Sequence, residues 1–257
     1  KEATMGYATK RLIATSALLC LGFIAQPVKA GTTHVVSMVL GDGVQQADNS
    51  GFYGELMDEI LRHADAPSNF SVFPFKRALK VYFTGDADCI WALDAAFLRK
   101  FDTSDTDMIE SARVLNTRQF LFGMPGTPKI SGLSDVAGKT IGVLRGSNIK
   151  TLLMDSGANI VNLSSQEAKI DMMLAGRIDA IGGWIPDIYI TMKQLGLDPS
   201  LIEPMFPLAV SGVRVVCHDT VENDRFLDAV NVSIANVLAS EAYQDILDRY
   251  GIPPSMN

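Results

Sequence analysis

The chain has 257 residues, 47% of them hydrophobic, and a formal net charge of −7. An acidic chain is a poor partner for nucleic-acid phosphates, and anionic lipid headgroups repel it. Its length suits one large domain or two lobes, each able to bury a core.

Lys10 and Arg11 precede an apolar run, Leu12–Ala25, and Val28-x-Ala30 follows with the small residues signal peptidase requires. This is the three-part pattern of a secretory signal. The run of 14 residues is short of the ~20 a spanning helix needs. Cys20 follows Ala17-Leu18-Leu19 and lacks the small preceding residue of a lipoprotein cysteine, and Met5 reads as the initiator. Residues 1–30 are therefore expected to be a signal segment and the mature chain to be periplasmic. Of 22 basic and 29 acidic residues, four and one fall before the cut, which leaves 18 and 28, a net charge of −10. Cys89 and Cys217 remain, both in apolar strand-like runs. An oxidising compartment permits a disulfide, but cysteine's habit of burial favours two free thiols.

His34–Leu40 reads as the first strand, and a polar, glycine-containing loop follows to Phe52. Gly54–Asp65 carries Leu56, Met57, Ile60, Leu61 and Ala64 at helical spacing. Phe70–Phe73 is a short strand, Pro74 opens a helix to Phe83, and Ala87–Leu93 is a buried strand. This βαβ series implies a parallel sheet with helices on both faces. Phe97–Asn116 is less regular, Arg118–Gly123 is a strand, and Met124–Lys129 reads as a linker.

A second lobe follows, with strands at 139–144, 158–163 and 178–183 and helices at 148–155, 165–176 and 186–195. Ser164 with Glu167 forms a capping box for the middle helix. Val213–Cys217 returns to the first lobe, and 223–250 is a long helix broken near Ser240 and stopped by Gly251 and Pro253. The expected division is 31–124 with 211–257 as lobe 1 and 125–210 as lobe 2. Two crossings make a double-stranded hinge, the device by which two lobes close on a ligand.

Catalytic signatures are missing. Gly138-Lys139-Thr140 has Leu133 where a P-loop needs glycine, and it precedes its strand. His34, His63 and His218 show no metal-ligand spacing, and there is no G-x-S-x-G elbow. No catalytic residue, metal or cofactor is expected. In α/β sheets ligands bind beyond the carboxyl ends of strands, and three ends stand out. Trp91 and Asp94 end one strand. Arg145-Gly146-Ser147-Asn148 ends another, where free N–H groups at a helix start favour an anion. Trp184 and Asp187 end the third, the indole suited to stacking.

The stretch Val136–Ser147 (VAGKTIGVLRGS) and the stretch Ser164–Gly182 (SSQEAKIDMMLAGRIDAIG) together resemble the second lobe of bacterial periplasmic solute-binding proteins of the polar amino-acid type. The resemblance implies a two-lobed α/β periplasmic-binding-protein-like fold (type 2), each lobe a mostly parallel sheet with flanking helices. It implies a monomer that holds a small polar, carboxylate-bearing solute between its lobes for an ABC-type importer's permease. Arg99, five residues beyond Asp94, falls where the family's arginine grips the ligand carboxylate. Gly146 and Ser147 fall at the second-lobe carboxylate clamp, and Arg77 at a Pro-x-x-Arg sometimes found at the cleft rim. The chain departs at Ala96, a threonine in the family, and at Trp184, where the receptors carry the aspartate for the ligand ammonium; Asp187 comes three residues later. A sensing module for a membrane signalling protein and a dehydratase-like enzyme are the other functions this fold admits.

Overall fold

The computed structural model describes residue 2 and residues 31–102 and 106–252. The signal-sequence reading, with its cut after Ala30, lies outside the described residues, as does the stop at Pro253. Among the described residues no helix is long and apolar enough to cross a membrane.

β1 (Thr33–Val39), α1 (Phe52–His63), β2 (Ser68–Pro74), α2 (Phe75–Phe83) and β3 (Cys89–Leu93) form the expected βαβ series. β1 lies between β2 and β3 and is parallel to both. Successive side chains on these strands point to opposite faces. Val35 and Trp91 therefore enter the core beneath α1, while Val36 and Ile90 enter the one beneath α2. The irregular stretch after β3 holds one helical turn, α3 (Ala95–Leu98), and a short strand, β4 (Met108–Glu110).

β5 (Leu115–Gly123) leads into the second group: β6 (Thr140–Leu144), α4 (Ile149–Leu152), β7 (Asn159–Leu163), α5 (Gln166–Leu174), β8 (Ala180–Ile185) and α6 (Asp187–Gln194). β6 is parallel to β7 and β8. Here too alternation splits the core, with Leu121 and Ala180 on one face and Phe122 and Ile181 on the other. β9 (Glu203–His218) then runs back, and α7 (Val221–Leu238) and α8 (Glu241–Tyr250) close the fold. The expected break falls at Ser240, whose hydroxyl caps α8 by accepting from the Tyr243 N–H at 3.2 Å.

The strand order is β2-β1-β3-β9-β5-β8-β6-β7, with β4 also on β9. Two parallel groups thus flank an antiparallel pair, β5 and β9, whose register runs from Leu115–Val213 to Gly123–Glu203. These two strands are the connections between the halves.

Three local expectations are corrected. The helix expected at 148–155 is the single turn α4, too short to present a helix dipole to an anion. The cap of α5 is Ser165, one residue beyond the expected Ser164, and its hydroxyl accepts from the Ala168 N–H at 3.2 Å. Cys89 and Cys217 are joined in a disulfide and are not free thiols. They stand opposite each other in the antiparallel β3–β9 register, which brings two buried sulfurs together.

Candidate ligand-binding site

The halves meet over a cavity of about 50 Å³ at the carboxyl ends of the strands. The first half contributes Met38 and Leu40 after β1, Tyr53 from α1, Phe75 from α2, Ala92 and Leu93 from β3, and Phe97 from α3. The connecting strand β5 contributes Thr117 and Gln119. The second half contributes Ser147, Asn148 and Ile149 after β6, Gln166 and Lys169 from α5, Gly182 to Trp184 from β8, and Asp187 from α6.

Direct contacts hold the halves together around it. The Tyr53 hydroxyl donates to Asp187 Oδ1 at 2.8 Å. The Phe97 and Trp184 rings meet edge to face at 5.1 Å. Farther out, Lys193 Nζ donates to the carbonyl of Arg249 at 2.8 Å, at the C-terminal end of α8. Ala92 adopts φ 78°, a left-handed conformation unusual for a residue with a Cβ. The β3–β9 register shifts there, between Trp91 and Leu93, so the ladder is interrupted at the cavity wall.

The polar groups are buried and only partly satisfied. Gln119 Nε2 donates to Asn148 Oδ1 at 3.1 Å. Gln119 Oε1, Asn148 Nδ2, Ser147 Oγ and Gln166 Oε1 are buried without a hydrogen-bond partner. Lys169 is 1% exposed and donates to the carbonyl of Gly182 at 2.6 Å. Burial holds its ammonium down to about 7, against the attraction of Asp187 and Glu167. Burial also lifts the Asp187 carboxyl to about 6, against the Tyr53 hydrogen bond and the Lys169 charge. Burial, then the Asp187 charge, pushes the Tyr53 hydroxyl well above its ordinary value.

Of the residues singled out by sequence, Ser147, Asn148, Trp184 and Asp187 line the cavity. The other six are not among its lining residues. Trp91 is wholly buried in the first-half core, and its indole donates to the Tyr53 carbonyl at 2.9 Å, so it positions the chain beneath the site. Asp94 caps α3, accepting from the N–H of Phe97 at 2.7 Å and that of Gly212 at 2.6 Å. Arg99 is exposed and donates to the Thr106 carbonyl at 3.3 Å. It is the C-cap of the one-turn helix α3. Arg77 is exposed over the Phe73 ring at 4.7 Å. Arg145 is exposed on a groove outside the cavity with Glu167. Gly146 has φ +96°, and a Cβ there would lie 3.3 Å from Lys76 of the first half. Asn148 makes no side-chain capping bond to α4, and its Nδ2 and the Ser147 Oγ stay unpaired at the cavity.

Sequence reasoning missed Tyr53, Gln119, Gln166 and Lys169. For α5 the signal was present: the buried residues Gln166, Lys169, Ile170 and Met173 fall at i, i+3, i+4 and i+7, so the lysine interrupts an inward stripe.

No protein-family model and no curated protein matches the chain. Solved structures do match. The GluR0 ligand-binding core from Nostoc punctiforme in complex with (L)-glutamate is 15% identical, with a TM-score of 0.67, covering 86% of this chain and 100% of that one. The substrate binding protein of an amino acid ABC transporter is 17% identical, with a TM-score of 0.62, covering 86% and 99%. A histidine kinase sensor domain with similarity to periplasmic binding proteins is 13% identical, with a TM-score of 0.66, covering 85% and 95%. The chain shares with all three the two-lobed periplasmic-binding-protein-like fold.

Proposed function

We propose that this chain is an exported solute-binding protein. It closes on a small polar, carboxylate-bearing solute between lobe 1 (31–124 with 211–257) and lobe 2 (125–210) and delivers it to the permease of an ABC-type importer. The observation that carries the reading is the set of four unpartnered buried polar atoms, on Gln119, Ser147, Asn148 and Gln166, around one cavity walled by both halves. Buried polar atoms in folded proteins are nearly always paired, so a group that fills this cavity stabilises the closed form. Ser147, Asn148, Trp184 and Asp187 are the contacts carried over from the sequence, joined by Tyr53, Gln119, Gln166 and Lys169. The Cys89–Cys217 disulfide agrees with an oxidising compartment, and one fold neighbour is itself the binding protein of an amino acid ABC transporter.

Thermal unfolding against amino acids, amines, organic acids and sugars tests this. A ligand at about 100 times its dissociation constant adds about 2.7 kcal/mol, a rise of a few degrees. One class of solute should give that rise and be recovered unchanged. A panel with no response refutes the reading, and turnover of a solute moves it to the dehydratase-like alternative. The likeness to a histidine kinase sensor domain favours sensing as the second reading. Deleting the gene separates the two: import predicts lost uptake of the ligand, and sensing predicts intact uptake with a lost transcriptional response.

A further inference from the structure

Lys169 and Asp187 are both buried on one cavity, at 1% and 3% exposure. Among the described residues neither belongs to an ion pair. The ammonium has three donors, and one reaches the Gly182 carbonyl. The carboxylate holds the Tyr53 hydroxyl on Oδ1. Burying a charge without its partner is unfavourable, and two opposite charges kept only for stability would gain most by touching. These two face one space without touching, and a ligand that carries both charges would satisfy both. The wall also carries the apolar side chains of Met38, Leu93, Phe97, Ile149 and Trp184, which suit an uncharged body between the two charges.

We propose that Lys169, not Arg99, anchors a ligand carboxylate, that Asp187 anchors an ammonium on the same ligand, and that the cleft takes a small zwitterion with an apolar body. This rests on reading the cleft as a solute site. The orphan atoms fit the assignment: Ser147 Oγ and Asn148 Nδ2 can donate to a carboxylate, and Gln119 Oε1 and Gln166 Oε1 can accept from an ammonium.

The test is isothermal titration of the full chain with four probes that share one branched aliphatic body: L-valine, L-valinamide, isovalerate and isobutylamine. L-valine should bind tightest. The two probes lacking a carboxylate should bind about a hundredfold more weakly, because they leave Lys169 buried and unpaired. In Lys169→Met valine affinity should fall by a similar factor, while Arg99→Ala should leave it unchanged. The methionine removes a buried charge at similar length, so the variant should fold; the four-probe series needs no variant at all. Equal binding of valine and isobutylamine overturns the assignment, as does a loss in Arg99→Ala with Lys169→Met unaffected. If none of the four binds while the broad solute panel yields another ligand, the zwitterion assignment fails and the receptor reading stands. If that panel is also silent, the receptor reading fails as well.

Discussion

The Cys89–Cys217 disulfide closes a sequence separation of 128 residues. The loop contains β4 to β8 and most of β9, which is all of the second half. In the chain-entropy description a cross-link of this span removes about 17 cal/mol/K from the unfolded chain, or about 5 kcal/mol at 25 °C. That is comparable with the entire stability of many domains. Replacing both cysteines by alanine also leaves space where two buried sulfurs met, a further cost. Urea unfolding of the oxidised chain and of the Cys89→Ala/Cys217→Ala variant measures the difference. The midpoint should fall steeply and the slope should rise, since the uncross-linked chain exposes more surface when unfolded. Solute affinity should not change, because the bond ties β3 to the first-half end of β9 and neither cysteine is among the cavity's lining residues. An unchanged midpoint and slope would refute the reasoning, as would two alkylatable thiols in the unfolded, unreduced chain.

Other perturbations have signs set by the site. Tyr53→Phe removes the hydrogen bond that the Tyr53 hydroxyl donates to the Asp187 carboxylate. It should cost about 1–3 kcal/mol near neutrality. That bond lowers the Asp187 value, so its loss lifts the carboxyl further; the penalty is present while Asp187 is ionised and fades as pH falls through its folded value, which unfolding at neutral and acid pH would show. Gly183→Ala sets a Cβ 2.5 Å from Ile188 Cγ1 and 3.6 Å from Lys169 Nζ. Overpacking should cost about 1–3 kcal/mol, read from the unfolding midpoint. Ser165→Ala removes the cap of α5 and should cost about 1 kcal/mol, again by urea unfolding, with the cavity side chains of the helix still in place.

The elements most legible in the sequence are those whose pattern is local. α1 announces itself by Leu56, Met57 and Ile60, and β3 by an unbroken apolar run, because burial on both faces leaves no polar residue to interrupt it. β9 was expected only from Val213, because Pro204 and Pro207 argue against a strand. In the structure those prolines sit where the β5–β9 register slips, opposite Phe122 and Phe120, so the bulges absorb the missing donors. Arg99 shows what a sequence offset leaves open. Its sequence offset matched a carboxylate-gripping arginine, but offset does not fix direction, and a one-turn helix sends the side chain to Thr106. Lys169 was passed over because a lysine on a helix ordinarily faces water. Only its place in a stripe with Ile170 and Met173 marks it as inward.

If Lys169 and Asp187 hold a zwitterion, binding must move protons. In the empty cleft burial holds Lys169 down to about 7 and Asp187 up to about 6. The charges acting on them come from three elements: Glu167 beside Lys169 on α5, Asp187 on α6, and the Tyr53 hydroxyl from α1. A ligand carboxylate favours the charged lysine and raises its value; a ligand ammonium favours the charged aspartate and lowers its value. One pH unit above the free lysine value, about nine in ten empty chains lack that proton, so binding there takes one up. Affinity should then fall by about tenfold for each further unit. Below the free aspartate value the empty chain carries a proton that the complex gives up, and affinity falls as the pH drops. The optimum therefore lies between about 6 and about 7. Titration in two buffers of different ionisation heat counts the protons and gives their sign on each side. Lys169→Met should abolish the alkaline uptake and leave the acid release. Alkaline uptake that survives in Lys169→Met, or no exchange on either side, would show that these two buried charges do not meet the ligand.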